Sequence, residues 1–194
     1  AESKPLSIEE VNLDPPGPNE VLVKIAGAGL CHSDLSVMNG SRPRPEPLVI
    51  GHEGSGEIVE VGSAVTDIQV GDHMVFQFSP SCGRCRRCME GRPQVCEVGA
   101  KAKAAGDLMG GGRRITDADG NRIAHHTGVS CFAEYAVVDR RSGAAIVFVE
   151  AERRLGNSWR IELESRLFFD VPDDDPLAGI RNDSFVTLRL SRFF

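Results

Sequence analysis

Cys82-Gly-Arg-Cys85-Arg-Arg-Cys88-Met-Glu-Gly-Arg-Pro-Gln-Val-Cys96 places four thiols within fifteen residues, in the spacing C-x2-C-x2-C-x7-C. Zinc takes four ligands in a tetrahedron, thiolates suit it, and a C-x2-C turn brings two sulfurs toward one point. Arg84, Arg86, Arg87 and Arg92 stand between the thiols. Their charge is expected to favour the thiolate form that a metal needs. A pair of disulfides is one rival reading. An iron–sulfur cluster is another, because C-x2-C-x2-C resembles a ferredoxin run. Zinc is favoured over both, since nothing else in the chain looks secreted and no second cysteine set or Cys-Pro follows.

A chain of 194 residues can bury a sizeable core, as one domain or one domain with an appendage. The net charge of −6 speaks against a nucleic-acid partner. No run approaches the ~20 apolar residues of a membrane helix, so no membrane partner is expected. Ala1-Glu-Ser-Lys-Pro5 has no signal-like apolar stretch, and the clustered cysteines suit a reducing compartment, so a cytoplasmic location is expected. Composition breaks near residue 140. Before it lie all six cysteines, all five histidines and all four lysines. After it nine arginines balance nine acids, and seven of the eleven aromatic residues follow the break. Two segments of different origin are expected, 1–139 and 140–194.

Along the first segment, Val21-Leu-Val-Lys-Ile-Ala26 reads as a strand after the Pro15-Pro-Gly-Pro18 loop. Cys31 to Val37 opens a short helix, with Ser33 or Asp34 as its expected cap. Leu48 to Gly56 reads as a strand ending in a glycine-rich turn, with further strands at Glu57–Gly62 and His73–Phe78. The stretch 100–127 reads as irregular, and a strand returns at Phe132–Val138. Short strands and many turns argue for a compact β-barrel or sandwich. Cys31 and His52, each in a turn after a different strand and with Glu53 beside the histidine, are further candidate ligands. Taken alone the pair is a weak signal, since a lone Cys or His is more often structural.

The order of motifs is more specific. Gly29-Leu-Cys31-His32-Ser33-Asp34, then Gly51-His52-Glu53-Gly54-Ser-Gly56, then Gly71-Asp72-His73, then the four-cysteine lobe, then Phe132-Ala-Glu-Tyr135, resembles the zinc-dependent alcohol dehydrogenases of the medium-chain family. The resemblance covers residues 1 to about 139. It implies the GroES-like catalytic domain, a mainly β, partly open barrel carrying a zinc-held cysteine lobe. It also implies roles. Cys31 and His52 would be catalytic zinc ligands and Cys82, Cys85, Cys88 and Cys96 structural ones. Glu53 would approach the metal during ligand exchange, and Asp34 would orient His52. Ser33 would take the substrate proton, and His32 would lie near the cofactor pyrophosphate. The family's relay histidine falls at Ser36. The cofactors implied are zinc and NAD(P), and the substrate is a small alcohol or aldehyde. His125 and His126 are expected to be solvated or structural, His73 to have no chemical role, and Cys131 to be core.

Two features depart from the family. A doubly wound nucleotide-binding (Rossmann) domain opens its first helix with G-x-G-x-x-G. Neither Gly27-Ala-Gly29 nor Gly110-Gly-Gly112 fits that fingerprint. Function is therefore expected to be that of an alcohol dehydrogenase catalytic domain truncated of its nucleotide-binding half, with a non-catalytic zinc-binding β-domain as the alternative. The tail has strand-like runs at Gly143–Val149, Trp159–Phe169 and Phe185–Phe194. The second alternates Trp159, Ile161, Leu163 and Ser165 against Arg160, Glu162, Glu164 and Arg166. With the turn-rich Pro172–Pro176 break and a terminal Phe, the tail resembles the last strands of a bacterial outer-membrane barrel. Its free edges invite homo-oligomeric association.

Overall fold

The computed structural model describes residues 6–144, 146–155, 159–168 and 185–192. The chain divides into two compact units, Ala1–Ala144 and Ala145–Phe194. In the first unit the elements run β1 Asn12–Leu13, β2 Glu20–Gly29, α1 His32–Met38, β3 Leu48–Val49, β4 Glu53–Val61 and β5 His73–Phe76. The cysteine lobe follows with α2 Arg86–Met89, a 3-10 turn Pro93–Val95 and α3 Glu97–Ala105. Then come β6 Ile115–Thr116, β7 Arg122–His125, β8 Tyr135–Asp139 and β9 Gly143–Ala144. The architecture is mainly β, and no doubly wound nucleotide-binding domain is present among the described residues. No described helix is long and apolar enough to cross a membrane.

Two sheets build this unit. One has the order β8-β2-β4-β5-β9, antiparallel throughout. The other has the order β1-β6-β7-β3, and its β3–β7 pair is parallel. β2 is the centre of the larger sheet. Val21 faces Val61 and Val138, and Val23 faces Ile58 and Ala136. Val21, Val23 and Val138 are wholly buried and pack with Met74, Phe76, Val129 and Cys131. Each such valine contributes roughly 1.5–3 kcal/mol through apolar burial. Register shifts between Leu22 and Val23, and between Ile25 and Gly27, mark bulges that bend β2 against β4.

Several sequence expectations are corrected. Gly54-Ser-Gly56 is not a turn but the start of β4, which runs unbroken to Val61. Glycine is needed at 56 because a Cβ there would lie 2.3 Å from the Lys24 carbonyl oxygen on β2. The stretch 100–127 is not irregular throughout: it holds most of α3 and both β6 and β7. Apolar Ile115 and Ile123 face one another across β6 and β7 and are buried, a pairing too short to stand out in a polar background. The returning strand starts at Tyr135 rather than Phe132. The sheet also continues past residue 139, because Gly143 and Ala144 pair with Phe76 and Val75 at its edge.

The second unit contains β10 Ile146–Leu155, β11 Trp159–Phe168 and β12 Phe185–Arg192, an antiparallel sheet in that order. Leu163 pairs with Leu188 and Ile161 with Leu190 in the register of β11 and β12. On β12, Val186, Leu188 and Leu190 are exposed. The Pro172–Pro176 break and Phe194 lie outside the described residues.

Candidate metal centres

The cysteine lobe gathers its thiols tightly. Sγ atoms of Cys82, Cys85, Cys88 and Cys96 all lie within 4.8 Å of one another. Cys85 Sγ is 3.5 Å from Cys88 Sγ and 3.8 Å from Cys96 Sγ. A zinc–sulfur bond of about 2.3 Å gives a tetrahedron with edges near 3.8 Å, so the four sulfurs fit zinc. No disulfide joins them. Backbone N–H groups point at the sulfurs: Cys82 N donates to Cys96 Sγ, Cys85 N to Cys82 Sγ and Gly99 N to Cys96 Sγ. Cys96 also caps α3.

Backbone amides and burial, not the arginines, set the two shifted thiols. Cys85 is lowered to about 6, first by the backbone amide of Cys88. Cys88 is raised to about 12, first by burial. Arg86 and Arg87 do not act as the sequence suggested, because both guanidinium groups pair outward with Glu90, and Arg87 also with Glu97.

The second centre forms where β2 ends and β4 begins. Cys31, not Ser33 or Asp34, is the N-cap of α1, in extended backbone conformation. Its Sγ accepts from Ser33 N at 3.5 Å. Asp34 sits three residues into the turn and its Oδ2 accepts from Cys31 N at 3.2 Å, closing a capping box. Its Oδ1 accepts from Gly51 N at 3.3 Å and from His52 Nδ1 at 3.0 Å. One buried carboxylate therefore ties the helix start to the turn that carries His52. Gly51 has φ +95°, and a Cβ there would lie 2.6 Å from Phe132 N, so that turn admits only glycine.

With Nδ1 engaged by Asp34, His52 presents Nε2 on its other side. Glu53 Oε1 lies 3.9 Å from Nε2. Ligand atoms of Cys31, His52 and Glu53 all fall within 4.8 Å, a thiolate, imidazole and carboxylate set that fits zinc. Ser33 is half-buried on the first turn of α1. His32 is exposed, its Nδ1 3.4 Å from Ser36 Oγ. Cys131 is buried, its Sγ 3.3 Å from the Glu53 carbonyl, and burial raises its thiol to about 11. His73 starts β5 opposite Glu57.

His125 and His126 are not solvated: they are 1% and 2% exposed. His125 Nε2 accepts from Arg114 N at 3.0 Å. Burial lowers His125 to about 4. His126 Nδ1 lies 3.2 Å from Asp34 Oδ1 without forming a hydrogen bond to it. Its ring meets the His52 ring edge-on at 5.1 Å. Its amide is held by Ser130 Oγ at 2.9 Å, within a turn where Thr127 and Ser130 have positive φ. His126 thus belongs to the His52 surroundings. The sequence reading missed it because 74 residues separate it from His52 and no spacing rule links them.

Residues 17–147 match the family described as Alcohol dehydrogenase GroES-like domain. The chain is 40% identical over 144 residues to the S-(hydroxymethyl)glutathione dehydrogenase of Synechocystis, covering 74% of this chain and 39% of that protein. Two solved structures are similar. The alcohol dehydrogenase zinc-binding domain protein from Burkholderia ambifaria has TM-score 0.67 at 34% identity, with 72% of this chain and 38% of that one covered. The benzyl alcohol dehydrogenase from Acinetobacter calcoaceticus has TM-score 0.59 at 34% identity, with 71% and 36% covered. The chain spans about two fifths of the length of the curated relatives it matches.

Proposed function

Because this chain belongs to the zinc-dependent medium-chain alcohol dehydrogenase family through its GroES-like domain, we propose that it carries the metal-holding half of an alcohol oxidation site. Cys31 and His52 would hold a catalytic zinc with Glu53 beside it, and Cys82, Cys85, Cys88 and Cys96 a structural one. The reaction is conversion of a small alcohol to an aldehyde or ketone by hydride transfer to NAD(P). When bound, zinc supplies Lewis acidity toward an alcohol oxygen and the nicotinamide supplies the hydride acceptor.

The chain's own residues do the positioning. Asp34 fixes the His52 tautomer, leaving the Nε2 lone pair for a metal. Glu53 is half-exposed beside His52 Nε2 and would exchange with a departing metal ligand. Ser33 takes the alcohol proton. Ser36 stands where the family's relay histidine falls, and it contacts His32 at the exposed side of α1, so the proton leaves through water. His32, exposed on the same turn, would meet a cofactor phosphate.

The observation that supports this reading most is the convergence of Cys31, His52 and Glu53 at one point, with Asp34 behind the histidine. Cobalt(II) substitution tests it. Benzyl alcohol is expected to shift the cobalt absorption bands of the loaded chain, and Cys31→Ser to abolish that shift. Turnover is expected only when a nucleotide-binding half is supplied. Alcohol-dependent NADH formation by the purified chain alone would contradict that part of the reading.

A further inference from the structure

Three cations surround the His52 site, and none is used by the chemistry above. Arg42 lies in the loop after α1. Its amide donates to Ser36 O at 2.8 Å, and its Nη1 approaches Ser33 Oγ at 3.5 Å. Arg44 is half-buried two residues later, and its Nε is buried with no acceptor. Pro43, Pro45 and Pro47 stiffen the loop between them and β3. Lys103 reaches in from α3. Its Nζ lies 3.4 Å from both Phe78 O and Ser79 Oγ, and 5.9 Å from the Phe78 ring centre. That ring in turn meets His52 edge-on at 6.2 Å.

Both guanidinium groups lie close enough to Lys103 for their charges to act on it. Lys103 is lowered by burial first, then by the charges of Arg44 and Arg42. Among the described residues, no carboxylate forms an ion pair with Arg42, Arg44 or Lys103. Like charges held together on a stiff loop, one with an unsatisfied buried N–H, are costly for the unliganded protein. An anion placed among them removes that cost.

We propose that Arg42, Arg44 and Lys103 form a subsite for a carboxylate on the substrate, so that this site prefers an alcohol or aldehyde carrying an anionic group away from its reacting oxygen. The proposal rests on the metal-site reading above and names its substrate class. Arg42 beside Ser33 sets the order of groups, with the reacting oxygen toward Ser33 and the carboxylate toward the arginine loop. Guanidinium groups suit this task because they bind carboxylates through two parallel N–H donors.

The test compares 4-(hydroxymethyl)benzoate with neutral 4-(hydroxymethyl)benzamide on the cobalt-loaded full chain, by calorimetric titration and by the cobalt absorption bands. The benzoate is expected to bind about tenfold more tightly at low salt, with the preference shrinking as salt screens the charges. Arg44→Gln and Lys103→Gln are expected to reduce the preference to about twofold or less, while Arg44→Lys retains part of it. Arg42→Gln, on an exposed residue, serves as the variant least able to disturb folding. Equal binding of the two alcohols, both shifting the cobalt bands, overturns the anion subsite and leaves the metal site standing. A preference unchanged in all three Gln variants also overturns it. So does arginine-dependent binding of AMP without any preference for the benzoate, since the anion is then the cofactor's. If neither alcohol shifts the bands of cobalt-loaded protein, the metal-site reading itself fails and the inference falls with it.

Discussion

His52 Nδ1 and Asp34 Oδ1 are 3.0 Å apart, and the same carboxylate also accepts the backbone amides of Cys31 and Gly51. Asp34 is therefore both the lock of the α1 cap and the anchor of the histidine. Asp34→Asn keeps the shape but turns an acceptor into a group with one acceptor and one donor end. Cobalt affinity at the Cys31–His52 site is expected to fall about 10- to 100-fold, the usual effect of removing such a partner. Competition with a calibrated chelator measures it, and the four-cysteine site serves as the internal control.

The thiols of the lobe differ sharply once metal is stripped. Cys85, at about 6, is mostly thiolate at neutral pH, whereas Cys88, at about 12, is not. Iodoacetamide followed by peptide mass spectrometry is expected to label Cys85 well before Cys88, with Cys85 labelling rising through about pH 6. Zinc is expected to protect all four.

Gly56 tests the packing of β4 on β2. An added Cβ meets Lys24 O at 2.3 Å and the Val23 side chain at 2.6 Å. Gly56→Ala is expected to cost about 1–3 kcal/mol, read as a lower urea midpoint with an unchanged slope.

His125 gives a pH signature. Its imidazole, at about 4 when folded against an ordinary 6.5, is neutral in the folded chain and charged in the unfolded one over that window. The unfolded state then binds more protons, so stability rises with pH from about 4 to 6.5 and is fully present above. The contribution is on the order of 3 kcal/mol. His125→Gln is expected to flatten this part of the stability–pH curve relative to the parent chain, both with saturating zinc.

Much of this was legible in the sequence. The four-cysteine spacing is local, and local spacing survives folding, so the four thiols meet at one point as the spacing implied. Cys31, His52 and Asp34 were readable only through the ordered motifs, since no rule of spacing joins residues 21 apart across two strands. Gly54-Ser-Gly56 misled because glycine marks turns and close backbone approaches alike, and here the second use holds. His126 and the Arg42–Arg44–Lys103 cluster were invisible. Their meaning depends on which loops fold back on His52, and nothing in their own segments records that.

The proposed function requires two metal ions per chain, one in the cysteine lobe and one on Cys31 and His52. Zinc content of the purified full chain, measured by elemental analysis after reconstitution and removal of excess metal, tests it most directly. Two zinc ions per chain are expected, falling to one in Cys31→Ser. One zinc per chain in the unaltered protein, unchanged by Cys31→Ser, would contradict it and leave a β-domain with a structural metal alone.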